Sequence, residues 1–173
     1  MKENFTLLPQ PRQIAVKEGS FSPTAKSAIQ IKAEDPQRLL FTAEQLARTL
    51  QSLWRNHWQI TASGPLQKER KSLVLTVDPH FQTHPQGYRI LIQPEQIEIL
   101  GQDPQGMFYG VQTFQQMIQQ SEGKCLPCLE VLDWPDFPTR GVMLDISRDK
   151  VYSLETLFML VDELASWKIN QLQ

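Results

Sequence analysis

A short proline-rich connector divides this chain and most constrains what it can fold into. The connector, D-W-P-D-F-P, occupies residues 133–138. Short segments of alternating apolar and polar residues precede it, whereas a nearly continuous apolar segment, residues 141–146, follows it. A continuous apolar strand is typical of a parallel sheet that is buried on both faces. We therefore predict two domains of different architecture, residues 1–133 and residues 134–173.

The first part contains several predicted strands. Alternating segments occupy residues 13–16, 28–32, 58–61 and 72–77, and residues 87–92 and 96–100 flank a short turn. Two alternating segments separated by three turn residues, Gln93-Pro94-Glu95, are typical of a β-hairpin, which implies antiparallel pairing there.

Two helices are predicted between these strands. Apolar residues recur at three- and four-residue steps over residues 36–56, with Asp35 as the expected N-cap, and again over residues 105–120. In the second helix, Gly106 and Gly110 lie one turn apart, which would let the helix approach its neighbour closely.

The second part has the pattern of a parallel strand–helix unit. The apolar segment 141–146 is followed by an amphipathic helix over about residues 153–168, with Ser153 as N-cap, and residues 169–173 begin another strand. Such a unit needs neighbouring strands to bury its apolar faces. We therefore expect the chain to be cut within a larger domain.

Composition excludes several partners. The chain has 17 Lys and Arg against 19 Asp and Glu, a net charge of −2, which argues against a nucleic-acid or anionic-membrane partner. No apolar stretch approaches the roughly 18 residues of a membrane span. The first residues also lack the apolar core of a secretory signal, so we expect a cytoplasmic location.

Two cysteines and two histidines have spacings that redox or metal-binding residues can have. Cys125 and Cys128 form C-L-P-C, the spacing of a thioredoxin-like pair or of half a zinc site, but the residues after them alternate as a strand does. His80 and His84 have helical i, i+4 spacing, but prolines on both sides favour a loop. We therefore predict structural cysteines, no metal site and no cofactor.

Three motifs resemble glycoside hydrolase family 20, the β-N-acetylhexosaminidases. The segment D-W-P-D-F-P-T-R-G-V-M-L-D-I-S-R, residues 133–148, resembles the start of the family's catalytic barrel. L-L-P-Q-P-R-Q at residues 7–13 is similar to the start of its N-terminal domain, and G-M-F-Y-G-V-Q-T-F at residues 106–114 is similar to its second-helix motif.

The resemblance implies an α+β fold. It implies a mostly antiparallel sheet with helices packed on one face, followed by the first strand–helix unit of a truncated (β/α)₈ barrel that begins near Thr139. A complete barrel has roughly 250 residues, so only its start would be present.

The resemblance also implies an activity. Family members remove terminal N-acetylglucosamine or N-acetylgalactosamine from β-linked glycans with retention, and the substrate's own acetamido oxygen attacks the anomeric carbon. The Asp and Glu that assist this reaction would lie beyond Gln173. We therefore assign no catalytic residue here and expect this chain alone to be inactive.

One substrate-binding residue follows from the resemblance. Arg148 matches the family's arginine that holds hydroxyls of the terminal sugar. Asp145 and Arg140 also match the motif, but they are equally suited to be structural partners. Trp134 and Phe137 could stack on a sugar ring, although packing at a domain joint is the favoured interpretation.

Two other functions were weighed. A free-standing carbohydrate-binding or interaction module would end near the connector and would not keep an apolar strand–helix unit. A CxxC redox module would require a helix that begins at Cys125.

Overall fold

The computed structural model describes residues 5–24, 27–62, 71–81, 84–122, 125–147 and 151–173. The chain divides into two compact units, Met1–Pro135 and Asp136–Gln173.

The first unit contains a sheet and two helices. Its strands are β1 (Gln13–Phe21), β2 (Ala28–Lys32), β3 (Gln59–Thr61), β4 (Ser72–Val77), β5 (Tyr88–Ile92), β6 (Gln96–Gly101) and β7 (Leu126–Asp133). Its helices are α1 (Gln37–Trp54) and α2 (Pro104–Gln120). Both predicted helices are therefore confirmed, each to within two residues at either end.

The sheet is mixed, which corrects the expectation of a mostly antiparallel one. Within the described residues, the strand order is β1-β7-β5-β6-β4-β2-β3. The pairs β1/β7, β5/β7 and β5/β6 are antiparallel, whereas β4/β6, β2/β4 and β2/β3 are parallel. The predicted β5–β6 hairpin is confirmed. The predicted α+β class is also confirmed. Among the described strands of this sheet, three pairs are parallel and three are antiparallel.

The parallel half of the sheet has a simple physical origin. Helix α1 follows β2 and returns the chain to the same end of the sheet, so the next strands run parallel to β2. A strand, a helix and a strand in succession favour parallel pairing, whereas the expectation of a mostly antiparallel sheet came from the family resemblance.

Both helices lie on one face of the sheet. Helix α1 contacts β2 and β3, helix α2 contacts β4, β5 and β6, and the two helices contact each other. Their facing side chains, among them Leu46, Leu50 and Phe114, are fully buried. The N-cap of α1 is Pro36 and not Asp35, although the Asp35 carboxylate accepts a hydrogen bond from the Gln37 amide at 3.2 Å.

The glycines of α2 allow a very close helix–strand approach, as predicted. A Cβ atom at Gly106 would lie 2.2 Å from the carbonyl oxygen of Gly87. A Cβ atom at Gly110 would lie 2.8 Å from the side chain of Ile99. A Cβ at either position would force neighbouring atoms to move, and at Gly106 these are backbone atoms, which have little freedom to move.

The second unit is small. It contains β8 (Gly141–Val142), α3 (Leu154–Ser166) and β9 (Gln171–Leu172), and β8 pairs with β9 in parallel. Ser153 is the N-cap of α3, as predicted, and its hydroxyl accepts a hydrogen bond from the Thr156 amide at 3.2 Å.

The apolar segment 141–146 differs from its prediction. Only its first two residues form a strand, and Met143 and Ile146 are 76% and 54% exposed. A two-stranded sheet with one helix has too little surface to cover a strand on both faces. The strand is therefore shorter than predicted, and its exposure agrees with a unit that lacks neighbouring strands.

Candidate functional site

The predicted sugar-binding residue, Arg148, lies outside the described residues. The structure does describe the residues just before it. The Asp145 carboxylate accepts hydrogen bonds from the Ser147 hydroxyl at 2.6 Å and from the Ser147 amide at 2.8 Å. These bonds lower the pKa of Asp145, because they stabilise its charged form. Asp145 therefore closes the turn that leads to Arg148.

Arg140 connects the two ends of the second unit. Its Nε donates to the carbonyl of Lys168 at 2.8 Å, and its Nη1 donates to the carbonyl of Phe137 at 2.6 Å. Its backbone amide donates to the Asn170 side chain at 2.8 Å, and that side chain donates in turn to the carbonyl of Pro138 at 2.8 Å. Arg140 therefore fixes the connector against the residues that precede β9, which is a structural role.

Trp134 is packed within the first unit. The His84 imidazole stacks on its ring, with centroids 4.6 Å apart and planes 4° apart. The Arg12 guanidinium lies 4.8 Å from the same ring, and its Nε donates to the Trp134 carbonyl at 2.9 Å. This ring is engaged by protein side chains, so packing explains Trp134 better than sugar stacking does. Phe137, by contrast, is 72% exposed.

A buried polar network, which the sequence did not reveal, anchors the end of β7. The Tyr88 hydroxyl donates to the Asp133 carboxylate at 2.7 Å and lies 2.7 Å from the Thr113 hydroxyl. The other Asp133 oxygen accepts from the Arg12 amide at 3.3 Å. Burial and then the Asp133 charge raise the pKa of Tyr88. The network joins β5, α2 and β7 immediately before the connector.

A cleft of about 640 Å³ lies beyond the carboxyl ends of β2, β4 and β6. Carboxylates line it, but they also close local turns. Asp78 accepts from the His80 amide at 2.8 Å, and Asp103 accepts from the Gly106 amide at 2.7 Å and the Gln86 amide at 2.8 Å. Across the described part of the chain, no three His, Cys, Asp or Glu residues are grouped as metal ligands.

The cysteines lie in an extended segment. Cys125 is exposed and precedes β7, Cys128 is buried within it, and both are free. Burial raises the pKa of the Cys128 thiol, which makes it a weaker nucleophile. A CxxC redox module requires a helix that begins at Cys125, but strand β7 begins there at Leu126.

Over the stretches of chain that the structure describes, no helix combines the length and the hydropathy that crossing a bilayer requires.

The fold and these residues define a class of protein. The chain has a small α+β domain with two helices on one face of a mixed sheet, and a parallel strand–helix–strand unit follows this domain in the sequence. Residues 4–134 match the family model described as glycosyl hydrolase family 20, domain 2. The chain therefore belongs to glycosyl hydrolase family 20.

Individual relatives agree with this assignment. The chain is 27% identical to a β-hexosaminidase of Porphyromonas gingivalis, over 98% of this chain and 22% of that protein. It is 33% identical to an N,N'-diacetylchitobiase of Vibrio harveyi, over 49% of this chain and 10% of that protein. The chain thus spans about a fifth or less of these relatives.

A solved structure supports the fold. The exo β-N-acetylglucosaminidase of Vibrio harveyi, in complex with N-acetylglucosamine, superimposes with a TM-score of 0.76 at 24% identity. The match covers 96% of this chain and 24% of that one.

Proposed function

We propose that this chain is the N-terminal part of a β-N-acetylhexosaminidase. The complete protein would hydrolyse terminal N-acetylhexosamine residues with retention, by substrate-assisted catalysis. The family match over residues 4–134 carries the proposal. The names of the relatives, β-hexosaminidase and chitobiase, support the same activity.

We assign residues 1–133 to the N-terminal domain and residues 134–173 to the connector and the start of a catalytic barrel. Parallel strands β8 and β9, joined by α3, are consistent with the repeating unit of a (β/α)₈ barrel. Leu154 and Phe158 on α3 are 71% and 66% exposed, as expected where further barrel elements would cover them. A free-standing binding module would not need this unit.

The proposed substrates are glycans that end in N-acetylglucosamine or N-acetylgalactosamine. N-acetylglucosamine is supported by the ligand of the Vibrio harveyi structure. The galacto sugar rests on the family resemblance alone. With a net charge of −2, the chain is not suited to bind nucleic acid or an anionic membrane.

Arg148 is the residue proposed to bind the substrate. In the sequence it comes directly after Ser147, the hydrogen-bond partner of Asp145. Barrel enzymes build their sites from the loops that follow the carboxyl ends of the barrel strands. A planar guanidinium presents fixed donors that can bridge two neighbouring sugar hydroxyls.

The test of this role is Arg148→Lys in the complete enzyme. Lysine keeps the charge but loses the two-point geometry, so one sugar hydroxyl would lose its partner, at a cost of about 1–3 kcal/mol. We expect kcat/KM on a chromogenic β-N-acetylglucosaminide to fall roughly five- to hundredfold, with an unchanged melting temperature.

A matched control is Arg48→Lys, because Arg48 is exposed on α1. It should leave kcat/KM within about twofold of the wild-type value. A near-normal kcat/KM in Arg148→Lys would make this residue an ordinary turn arginine. A loss of thermal stability without a kinetic defect would show a structural role.

The domain assignment is tested by ending the chain after Pro138. The first unit holds the buried core, whereas the second exposes Met143, Leu154 and Phe158. We expect the shortened chain to keep its melting temperature and to stay monomeric at higher concentration, since exposed apolar surface promotes association. Size-exclusion chromatography and thermal unfolding measure both properties. A markedly lower melting temperature would show that the first unit depends on residues 139–173.

A further inference from the structure

Two glutamines of α2 hold the N-terminal segment by its backbone. The Gln116 side chain accepts from the Leu8 amide at 2.9 Å and donates to the Leu8 carbonyl at 2.7 Å. The Gln120 side chain makes the same two bonds with Thr6, each at 2.8 Å. Each primary amide thus satisfies both backbone groups of one residue, as a neighbouring β-strand would.

The spacing of these bonds matches the two elements. Residues four apart on a helix are about 6 Å apart along its axis, and residues two apart on an extended chain are about 6.6 Å apart. Leu7, between the two paired residues, points the other way and is 5% exposed within the core cluster. Leu8 is 59% exposed. Thr6 and Leu8 are thus held by their backbone groups, and Leu7 between them is held by its buried side chain.

We propose that α2 carries a peptide-binding surface, formed by Gln116, Gln120 and the core position that holds Leu7. Residues 5–8 occupy it, and the same segment binds there as a separate peptide. Peptide sites that add a strand to a sheet obtain affinity from main-chain hydrogen bonds and specificity from side-chain pockets. Here the side chains of Gln116 and Gln120 supply the hydrogen bonds that a sheet edge would supply. The buried position of Leu7 in the core supplies the specificity.

The recognition chemistry is neutral. A glutamine offers a donor and an acceptor on one group, whereas a glutamate or a lysine would satisfy only half of each pair. The surface therefore fits an extended peptide with a large aliphatic residue between two residues whose backbone amide and carbonyl groups are both free to pair. This proposal does not depend on glycosidase activity, so either can fail without the other.

The first test measures amide hydrogen exchange in the full 173-residue chain. Gln116→Ala should speed exchange of the Leu8 amide at least tenfold more than that of Thr6, and Gln120→Ala should do the reverse. Gln119→Ala is the matched control, because Gln119 is an exposed glutamine of the same helix that takes no part in these bonds. Equal exchange in all three variants would overturn the pairing.

The second test supplies the segment as a peptide. Full-length Leu7→Ser, in which the resident segment is weakened, is titrated with a labelled synthetic peptide of residues 3–10. We expect saturable binding and a raised melting temperature. Binding to the wild-type chain should be at least tenfold weaker, since the resident segment competes at an effective concentration near millimolar.

Backbone recognition is tested with a modified peptide. Methylation of the Leu8 amide nitrogen removes one donor, and we expect at least tenfold weaker binding to Leu7→Ser. The added change Gln116→Ala should weaken binding similarly, and Gln119→Ala should not. If Leu7→Ser does not fold, Leu7→Ala is the acceptor. A folded acceptor that fails to bind the peptide, or binds the methylated one equally, would refute the proposal.

Discussion

The purified 173-residue chain is expected to leave a chromogenic β-N-acetylglucosaminide unhydrolysed. In substrate-assisted hydrolysis, one carboxyl group protonates the leaving oxygen and a second orients the acetamido group. Family resemblance places both residues on a later barrel strand, beyond Gln173. General acid catalysis alone contributes about 10²–10⁴-fold, so we expect the rate to fall by at least that factor relative to the complete enzyme.

The measurement needs two comparisons. A chain extended through the complete barrel should be active in the same assay, which shows that the substrate and conditions are suitable. The short chain should be purified twice, from hosts with and without their own hexosaminidases, because a trace of enzyme would imitate activity. Turnover by the short chain from both hosts would contradict the inactivity and the placement of the catalytic pair.

Local patterns predicted most of the elements. The β5–β6 hairpin, both helices of the first unit and the Ser153 cap each depend on residues close in sequence. The helical glycines were also informative, because Gly106 lies against the backbone just before β5 and Gly110 lies against β5 and β6. These features can be predicted from one sequence because apolar spacing and helix caps depend on residues within one or two helical turns of each other.

The sheet order was not predictable in the same way. Pairing of β4 with both β2 and β6 joins segments separated by helix α1 and by β5. No local residue pattern specifies which distant strands become neighbours. The parallel half was therefore missed, although a strand, a helix and a strand in succession favour parallel pairing.

The polar contacts were the least predictable features. Gln116 and Gln120 each pair with backbone more than 100 residues away in the sequence. Tyr88 and Asp133 likewise lie 45 residues apart in the sequence, and they meet because β5 and β7 are neighbours in the sheet. An amide or a hydroxyl has the same appearance in a sequence whether it faces solvent or a buried partner, so only the fold distinguishes these cases. Arg148, outside the described residues, stays a prediction.

Gly106→Ala is expected to destabilise the first unit by about 3 kcal/mol, which for a domain of this size lowers its melting temperature by roughly 10 °C. The new methyl group would lie 2.2 Å from the Gly87 carbonyl oxygen and 3.0 Å from the backbone of Gln86. Since these are backbone atoms, α2 must move away. That movement would strain the hydrogen bond from the Gly106 amide to Asp103.

Two neighbouring substitutions make this prediction specific. Gly110→Ala meets buried side-chain atoms of Ile99 at 2.8 Å and of Tyr88 at 3.2 Å, not backbone at 2.2 Å. Alanine also favours a helix over glycine by about 1 kcal/mol, so the net cost should be smaller than that of Gly106→Ala. Gln105→Ala, at an exposed position beside Gly106, should be nearly neutral. Thermal and urea unfolding should therefore rank Gly106→Ala as least stable. Equal stability of the two glycine variants would mean that the Gly87 backbone yields as readily as a side chain.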